Sequence, residues 1–151
     1  MCSLPFPTIA AMNGHAYAAG FMFAMAHDLR VLREDLGDCC VSEINLGMSI
    51  PKPMNHIIQF KIPIHTHIRF ALLGHKFSPK ECLEGKVVDQ LAKKEDLIKD
   101  SVVLARKVKH HGEKRVAFKA IKQVMYEDII KSCLYDACDE SYRTPNGFEK
   151  L

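Results

Sequence analysis

The sequence predicts an α/β or α+β chain on three observations. Short runs of β-branched and small apolar residues occupy the first part, helical spacing of apolar residues occupies the last, and turn or capping signals sit at the junctions. Thr8 to Met12 reads as a strand stopped by the turn signal Asn13-Gly14. Ala16 to Ala26, rich in small residues and apolar all round with Gly20 inside it, predicts a buried helix. Leu29 to Leu32 is a second strand, closed by the charged turn Arg33 to Asp38, and Cys39 to Val41 is a third that brings Ser42 and Glu43 to a strand end.

Pro51 and Pro53 break the chain before a helix over Met54 to Phe60, and Pro63 separates it from a helix over Ile64 to Leu73 that stops at Gly74. Ser78-Pro79-Lys80-Glu81 supplies a capping residue, a proline at the first helical position and a glutamate three residues after the cap. The short helix it starts runs to Glu84 and is capped by Gly85. Val87 and Val88 read as a brief extended piece. Glu95 to His111 and Val116 to Cys138 are helical by spacing, with Phe118, Ile121, Met125 and Ile129 on one stripe of the second. Ser141 to Leu151, with Pro145-Asn146-Gly147, reads as a flexible tail.

Composition bounds the function. The 151 residues are 48% hydrophobic and 26% charged, the balance of a globular domain rather than a disordered chain. A chain of this length buries roughly 68 to 70% of its unfolded surface, enough for a core without disulfide or metal staples. A formal charge of +3 is too mild to argue for nucleic acid. The basic tract from Arg106 to Arg115 reads as a solvated helix end, cations being favourable near a C-terminus.

Six scattered cysteines with no C-x-x-C spacing read as reduced thiols, and adjacent Cys39 and Cys40 would point to opposite faces of a strand. His65-x-His67 does not make a two-ligand clamp on a helix, where residues two apart do not face each other, so no metal is expected. No apolar run approaches a membrane span and Met1 to Pro7 lacks the regions of a signal peptide, so the protein is expected to be soluble and not secreted.

The densest chemical signal runs from Pro7 to Gly20, continuing through Phe21 to His27, Asp28 and Arg30. Physically it is a strand, a tight turn and small residues entering a helix. Backbone N–H groups at a helix start are oriented donors that small side chains leave open to a ligand oxygen. Close packing of helix on strand is the plain alternative.

The order of these residues resembles the signature of the enoyl-CoA hydratase/isomerase (crotonase) superfamily, P-x-I-A-A-x-N-G-x-A-x-G-G-G followed by a helix and C-D-x-R. Ser42-Glu43-Ile44-Asn45-Leu46-Gly47 with Pro51 is similar to the family's P-E-x-x-L-G…P segment. Leu73-Gly74, Glu81, Gly85, Val87, Val88 and Asp89 are similar to its T-G…E-A…G-x-V-D pattern. Ala18-Ala19-Gly20, His27-Asp28 and Ser42-Glu43 look most like plant peroxisomal Δ3,Δ2-enoyl-CoA isomerases.

The resemblance implies an α/β fold: the C-terminal portion of a crotonase-like ββα superhelix. A partial core would occupy residues 1–91, a C-terminal helical region making oligomer contacts 92–140, and a flexible tail 141–151. It implies that the Ala19 N–H is one oxyanion donor and that Glu43 is the single catalytic carboxylate. Ala16, Ala18, Gly20, Ser42, Leu46 and Pro51 would line the substrate. Hydratases need a second glutamate just after the glycines; Met22 stands there, which favours allylic proton transfer over hydration. Glu43 would take a C2 proton from a 3-enoyl-CoA and return it at C4, a shuttle suited to a desolvated carboxylate.

The family's A-F-S-x-G-x-D-like segment, which supplies the other oxyanion N–H and adenine contacts, has no counterpart here, so the chain is expected to be part of a larger fold. The CoA thioester is substrate and no cofactor is implied. The resemblance further implies a homo-oligomer, trimer or hexamer, or a hetero-oligomer with paralogues, and no nucleic-acid or membrane partner. A contact between the basic tract and CoA phosphates is the alternative to a solvated helix end. A peroxisomal location is expected, although Glu149-Lys150-Leu151 keeps only the last two residues of an S-K-L address, and a cytoplasmic one otherwise. The alternatives to an isomerase are a truncated, catalytically weak subunit that associates with full-length paralogues and, third, an enoyl-CoA hydratase.

Overall fold

In the computed structural model, which describes residues 1–135, strands alternate between two small parallel sheets. β1 (Ile9–Met12), β3 (Leu29–Arg33) and β5 (Gln90–Ala92) form one, in the order β1-β3-β5; β2 (Ala16–Tyr17) and β4 (Cys39–Cys40) form the other. The chain thus makes β1, turns at Asn13-Gly14, makes β2, and returns through helix α1 (Ala19–Met25) to begin β3 beside β1. Parallel pairing requires such a crossover. Ile9 pairs with Leu29 and Ala16 with Cys39, so each ββα turn stacks on the next.

The helices that follow are α2 (Lys52–Lys61), α3 (Ile64–Ala71), α4 (Pro79–Glu84), α5 (Leu97–Val108), α6 (Arg115–Met125) and α7 (Glu127–Tyr135). The predicted Ser78–Glu81 capping box closes: the Ser78 N–H donates to Glu81 Oε2 (3.1 Å) and the Glu81 N–H to Ser78 Oγ (3.4 Å). Its carboxylate is held down to about 2, first by the Ser78 N–H and then by His75.

The core lies between the sheets and α1 to α4. Phe21 stacks on Phe70 at 4.8 Å and Phe70 on Phe77 at 4.0 Å between ring centroids, tying α1 to α3 and to the segment that pairs with Cys39. Val31, Ala92 and Leu97, with Ile9 and Leu104, form a smaller cluster under α5 on the far side of the three-stranded sheet.

Four expectations change. The helix expected from Ala16 begins at Ala19, because Ala16 and Tyr17 are drawn into β2 by pairing with Cys39 and Cys40. Val87 and Val88 are buried but unpaired; the strand begins at Gln90, in register with Val31. The helix expected over Val116 to Cys138 breaks at Tyr126 into α6 and α7, and Cys138 lies outside the described residues, as does the tail from Ser141. Its apolar stripe also splits. Ile129 is buried, while Ile121 and Met125 are exposed, because α6 turns Lys122 and Tyr126 inward instead.

Candidate active site

The parallel register of β2 and β4 builds the site. With Ala16 opposite Cys39 and Tyr17 opposite Cys40, the strands end side by side, and the Ala18 N–H donates to the Cys40 carbonyl at 2.9 Å. Immediately beyond lie Ala19, at the first position of α1, and Ser42-Glu43, where a 3₁₀ turn over Glu43–Leu46 begins. Two segments distant in sequence therefore meet at one corner. Residues in the first turn of a helix have no intrahelical partner for their N–H groups, so Ala19 and Gly20, both exposed, present donors there.

The corner is strained. Ala18 sits at φ 46°, ψ −122°, a conformation glycine adopts freely and alanine does not. The unusual backbone falls on Ala18, one residue before the expected oxyanion donor Ala19. It turns the chain from β2 into the helix, and the Ala18 carbonyl then accepts the Met22 N–H at 3.0 Å.

Glu43 is tucked inward while the rest of its turn faces out: it is 8% exposed, whereas Ile44, Asn45, Leu46 and Met48 are exposed. Its Oε2 is buried and receives no hydrogen bond among the described residues. A buried carboxylate oxygen without a donor is costly, and such exceptions in a native core point to function. The turn is held from both ends. Gly47 closes it at φ 64°, and the Met48 N–H donates to the Glu43 carbonyl at 2.9 Å. Asn45 Nδ2 reaches the Gly74 carbonyl at 3.4 Å, and a Cβ on Gly74 would meet that Nδ2 at 2.6 Å. This Asn45–Gly74 clamp was not legible in the sequence, which marks Gly74 only as a helix stop.

The other expected residues are placed as follows. Ala16 is buried under the corner, Ala18 and Ser42 are half-buried, and Leu46 and Pro51 are exposed. Met22 is buried in the core on α1. Cys39 and Cys40 are buried free thiols. The hydrogen bond with Cys82 and then burial push the Cys39 thiol up, so it stays protonated. His67 Nε2 lies 2.9 Å from Asn55 Oδ1, and burial lowers its pKa. Among the described residues no three His, Cys, Asp or Glu side chains converge as metal ligands. The basic residues from Arg106 to Arg115 are exposed.

A second polar cluster was missed in the sequence. Asp28 Oδ2 accepts from the Thr8 N–H (2.8 Å), Thr8 Oγ1 (2.9 Å) and Lys122 Nζ (2.9 Å), and Lys122 is 3% exposed. Lys61 Nζ donates to Tyr126 Oη (2.7 Å) and to the His27 carbonyl (3.0 Å). Burial, then neighbouring Arg30, brings Lys61 down to about 8; burial and then Asp28 push Tyr126 up to about 12. The knot pins α6 and the α6–α7 junction at Tyr126 to α2 and to the residues that lead into β1 and β3.

Strands alternating between two small parallel sheets, with helices crossing over between them, make up a crotonase-type fold. The chain matches the enoyl-CoA hydratase/isomerase family model over residues 1–136, and it belongs to that family. It is 33% identical over 132 residues to Arabidopsis thaliana enoyl-CoA delta isomerase 2, peroxisomal, covering 85% of this chain and 55% of that protein. It is 31% identical over 137 residues to Arabidopsis enoyl-CoA delta isomerase 3, covering 87% and 56%. The chain therefore spans little more than half the length of these relatives. Among solved structures, an enoyl-CoA hydratase/isomerase family protein from Pseudomonas syringae superposes with a TM-score of 0.80 at 22% identity, covering 93% of this chain and 60% of its own. An enoyl-CoA isomerase of Mycobacterium tuberculosis superposes at 0.78 and 24% identity, covering 87% and 57%. These two likenesses establish the fold.

Proposed function

We propose that the protein is a Δ3,Δ2-enoyl-CoA isomerase, moving the double bond of a 3-enoyl-CoA to the 2-trans position. The observation that carries this reading is Glu43: a single inward carboxylate with an unpartnered oxygen, at the corner where Ala19 presents its N–H. The thioester oxygen accepts from Ala19, the Glu43 carboxylate removes a C2 proton to leave a dienolate, and the same acid returns the proton at C4. The electron pair moves from the C2–H bond through the thioester to C4, so neither redox cofactor nor metal is required. One carboxylate suffices for this shuttle, whereas adding water calls for a second, and Met22 occupies the sequence position at which the family resemblance expects that one.

The names of the Arabidopsis relatives agree with this reaction, and two relatives are named peroxisomal, which favours that compartment. The described helices include none long and apolar enough to cross a membrane. Assembly into trimers or pairs of trimers is part of the proposal: the outward face of α6 carries Val116 and Val124, 87% and 76% exposed, an apolar surface suited to a neighbouring subunit.

The test is conversion of 3-enoyl-CoA by this chain and by Glu43→Gln. We expect turnover by the first and a loss of about 10² to 10⁴ in the second, the range for a general acid–base group. Equal background conversion by both would refute the reading. Equal but substantial conversion would move the proton transfer to another residue.

A further inference from the structure

Glu43 Oε2 has no hydrogen-bond donor among the described residues, so the aim of the carboxylate depends on the turn that carries it. Several bonds of that turn are its own. The Asn45 N–H donates to the Ser42 carbonyl at 3.0 Å, the Gly47 N–H to that of Ile44 at 3.1 Å and the Met48 N–H to that of Glu43 at 2.9 Å. They fix the shape of the turn, while its seat on the rest of the molecule needs another contact. Ile44, Asn45 and Leu46 are exposed, so apolar burial does not supply it there.

The seat is at Gly74, 29 positions beyond Asn45. The Gly74 carbonyl accepts from Asn45 Nδ2 at 3.4 Å on the turn and from Cys40 Sγ at 3.8 Å on β4, so one oxygen joins the strand that leads to Glu43 and the turn that holds it. Gly74 has φ 56°, where glycine is favoured, and its bare Cα lies against the Asn45 carboxamide. An added Cβ would come within 2.6 Å of Nδ2, 2.8 Å of Oδ1 and 2.9 Å of Cγ. The whole planar amide therefore rests on the glycine, and the long hydrogen bond is only part of the contact. The platform is itself fixed: the Leu72 and Leu73 N–H groups donate to the Ile68 carbonyl (2.9 and 3.3 Å) and the His75 N–H to that of Arg69 (3.0 Å), which ties Gly74 to the end of α3.

We propose that Asn45 is a positioning residue for Glu43: seated on Gly74, its carboxamide holds the Glu43–Leu46 turn so that the carboxylate stays turned inward at the corner. The kinetic part of the test rests on the isomerase reading. The hold itself does not, because exchange of the turn's amides reports it without substrate.

The experiment compares the unsubstituted chain with Asn45→Ala, Gly74→Ala and the two together, by amide hydrogen exchange and by conversion of 3-enoyl-CoA. Asn45→Ala, at an exposed position, should speed exchange at Gly47 and Met48 about fivefold or more, the effect of losing one hydrogen bond with its packing, while the β3 amides keep their rate. It should lower kcat about tenfold with KM within about twofold, since a misplaced carboxylate slows proton transfer and leaves the oxyanion donor in place. Gly74→Ala should act alike by displacing the amide, and adding it to Asn45→Ala should lower kcat no further, the two residues forming one contact. If Gly74→Ala fails to fold, Asn45→Ala carries the test. Unchanged exchange in Asn45→Ala, a raised KM at unchanged kcat, or additive losses of kcat in the double variant would each overturn the proposal, the second in favour of an amide that touches substrate. Background conversion by every variant, with exchange responding as expected, would leave the hold standing and remove the isomerase reading. Substantial conversion that Asn45→Ala matches in both measurements would keep that reading and remove the positioning role.

Discussion

Two carboxylates in this molecule, a half-buried Asp28 and a buried Glu43, have opposite surroundings. Asp28 gives one oxygen to three donors, a backbone N–H, a hydroxyl and the buried Lys122 ammonium. Glu43 keeps one oxygen with no donor among the described residues, on a turn entered beside a strained alanine. Satisfied polar groups hold a fold together, whereas an unsatisfied one costs stability and persists where chemistry uses it. The Asp28 knot is therefore structural, and the Glu43 corner is where the fold spends stability.

The largest expected effect breaks the knot. Asp28→Asn leaves the Lys122 ammonium buried without its counter-charge and should cost about 3 kcal/mol, read as a lower urea midpoint at unchanged slope. A loss below about 0.5 kcal/mol would show the pair to be no more than a surface contact. At the corner the sign reverses: Ala18→Gly relieves the φ 46° conformation and should stabilise by about 1 kcal/mol, net of glycine's extra freedom when unfolded. Destabilisation on that change would mean that the Ala18 methyl packs better than its backbone is strained.

Glu43→Gln should leave the urea midpoint unchanged or raise it slightly while activity falls, since no hydrogen bond to Oε2 is lost. A midpoint that drops as far as that of Asp28→Asn would make Glu43 a structural residue. The smallest effect is in pH dependence. Lys61 titrates near 8 in the native state against 10.5 ordinarily, so between those values the unfolded chain binds a proton the native state has shed, and stability rises with pH. Tyr126, pushed up from 10.0 to about 12, acts oppositely above pH 10, where the unfolded chain loses a proton the native state keeps. Together they predict rising stability from about pH 8 to 10, and Lys61→Met should flatten that slope.

Much of the corner was legible in the sequence. Small residues at 18 to 20, Met22 two positions later, and Glu43 after a strand are the residue types and order on which the proposed isomerase reading rests. The Asp28–Lys122 pair was not legible, because its partners are 94 positions apart and Lys122 lies on a helix whose apolar residues advertise the wrong face. A periodicity reading assumes that apolar side chains point inward; α6 carries a buried lysine and an outward Val116, Ile121 and Val124.

The sequence by itself determined β1, β3 and β4, the places of α2 to α5, the capping box at Ser78, and the residue types that any chemistry here must use. These depend on local conformational preference and on short-range pattern. Tertiary structure alone decided that Ala16–Tyr17 is strand rather than helix, that the strain falls on Ala18 and not Ala19, and that Glu43 turns inward beside them. The physical reason is parallel pairing: β2 is two residues long, too short to declare itself, and becomes a strand only because the fold lays it beside β4, where the sequence already reads a strand.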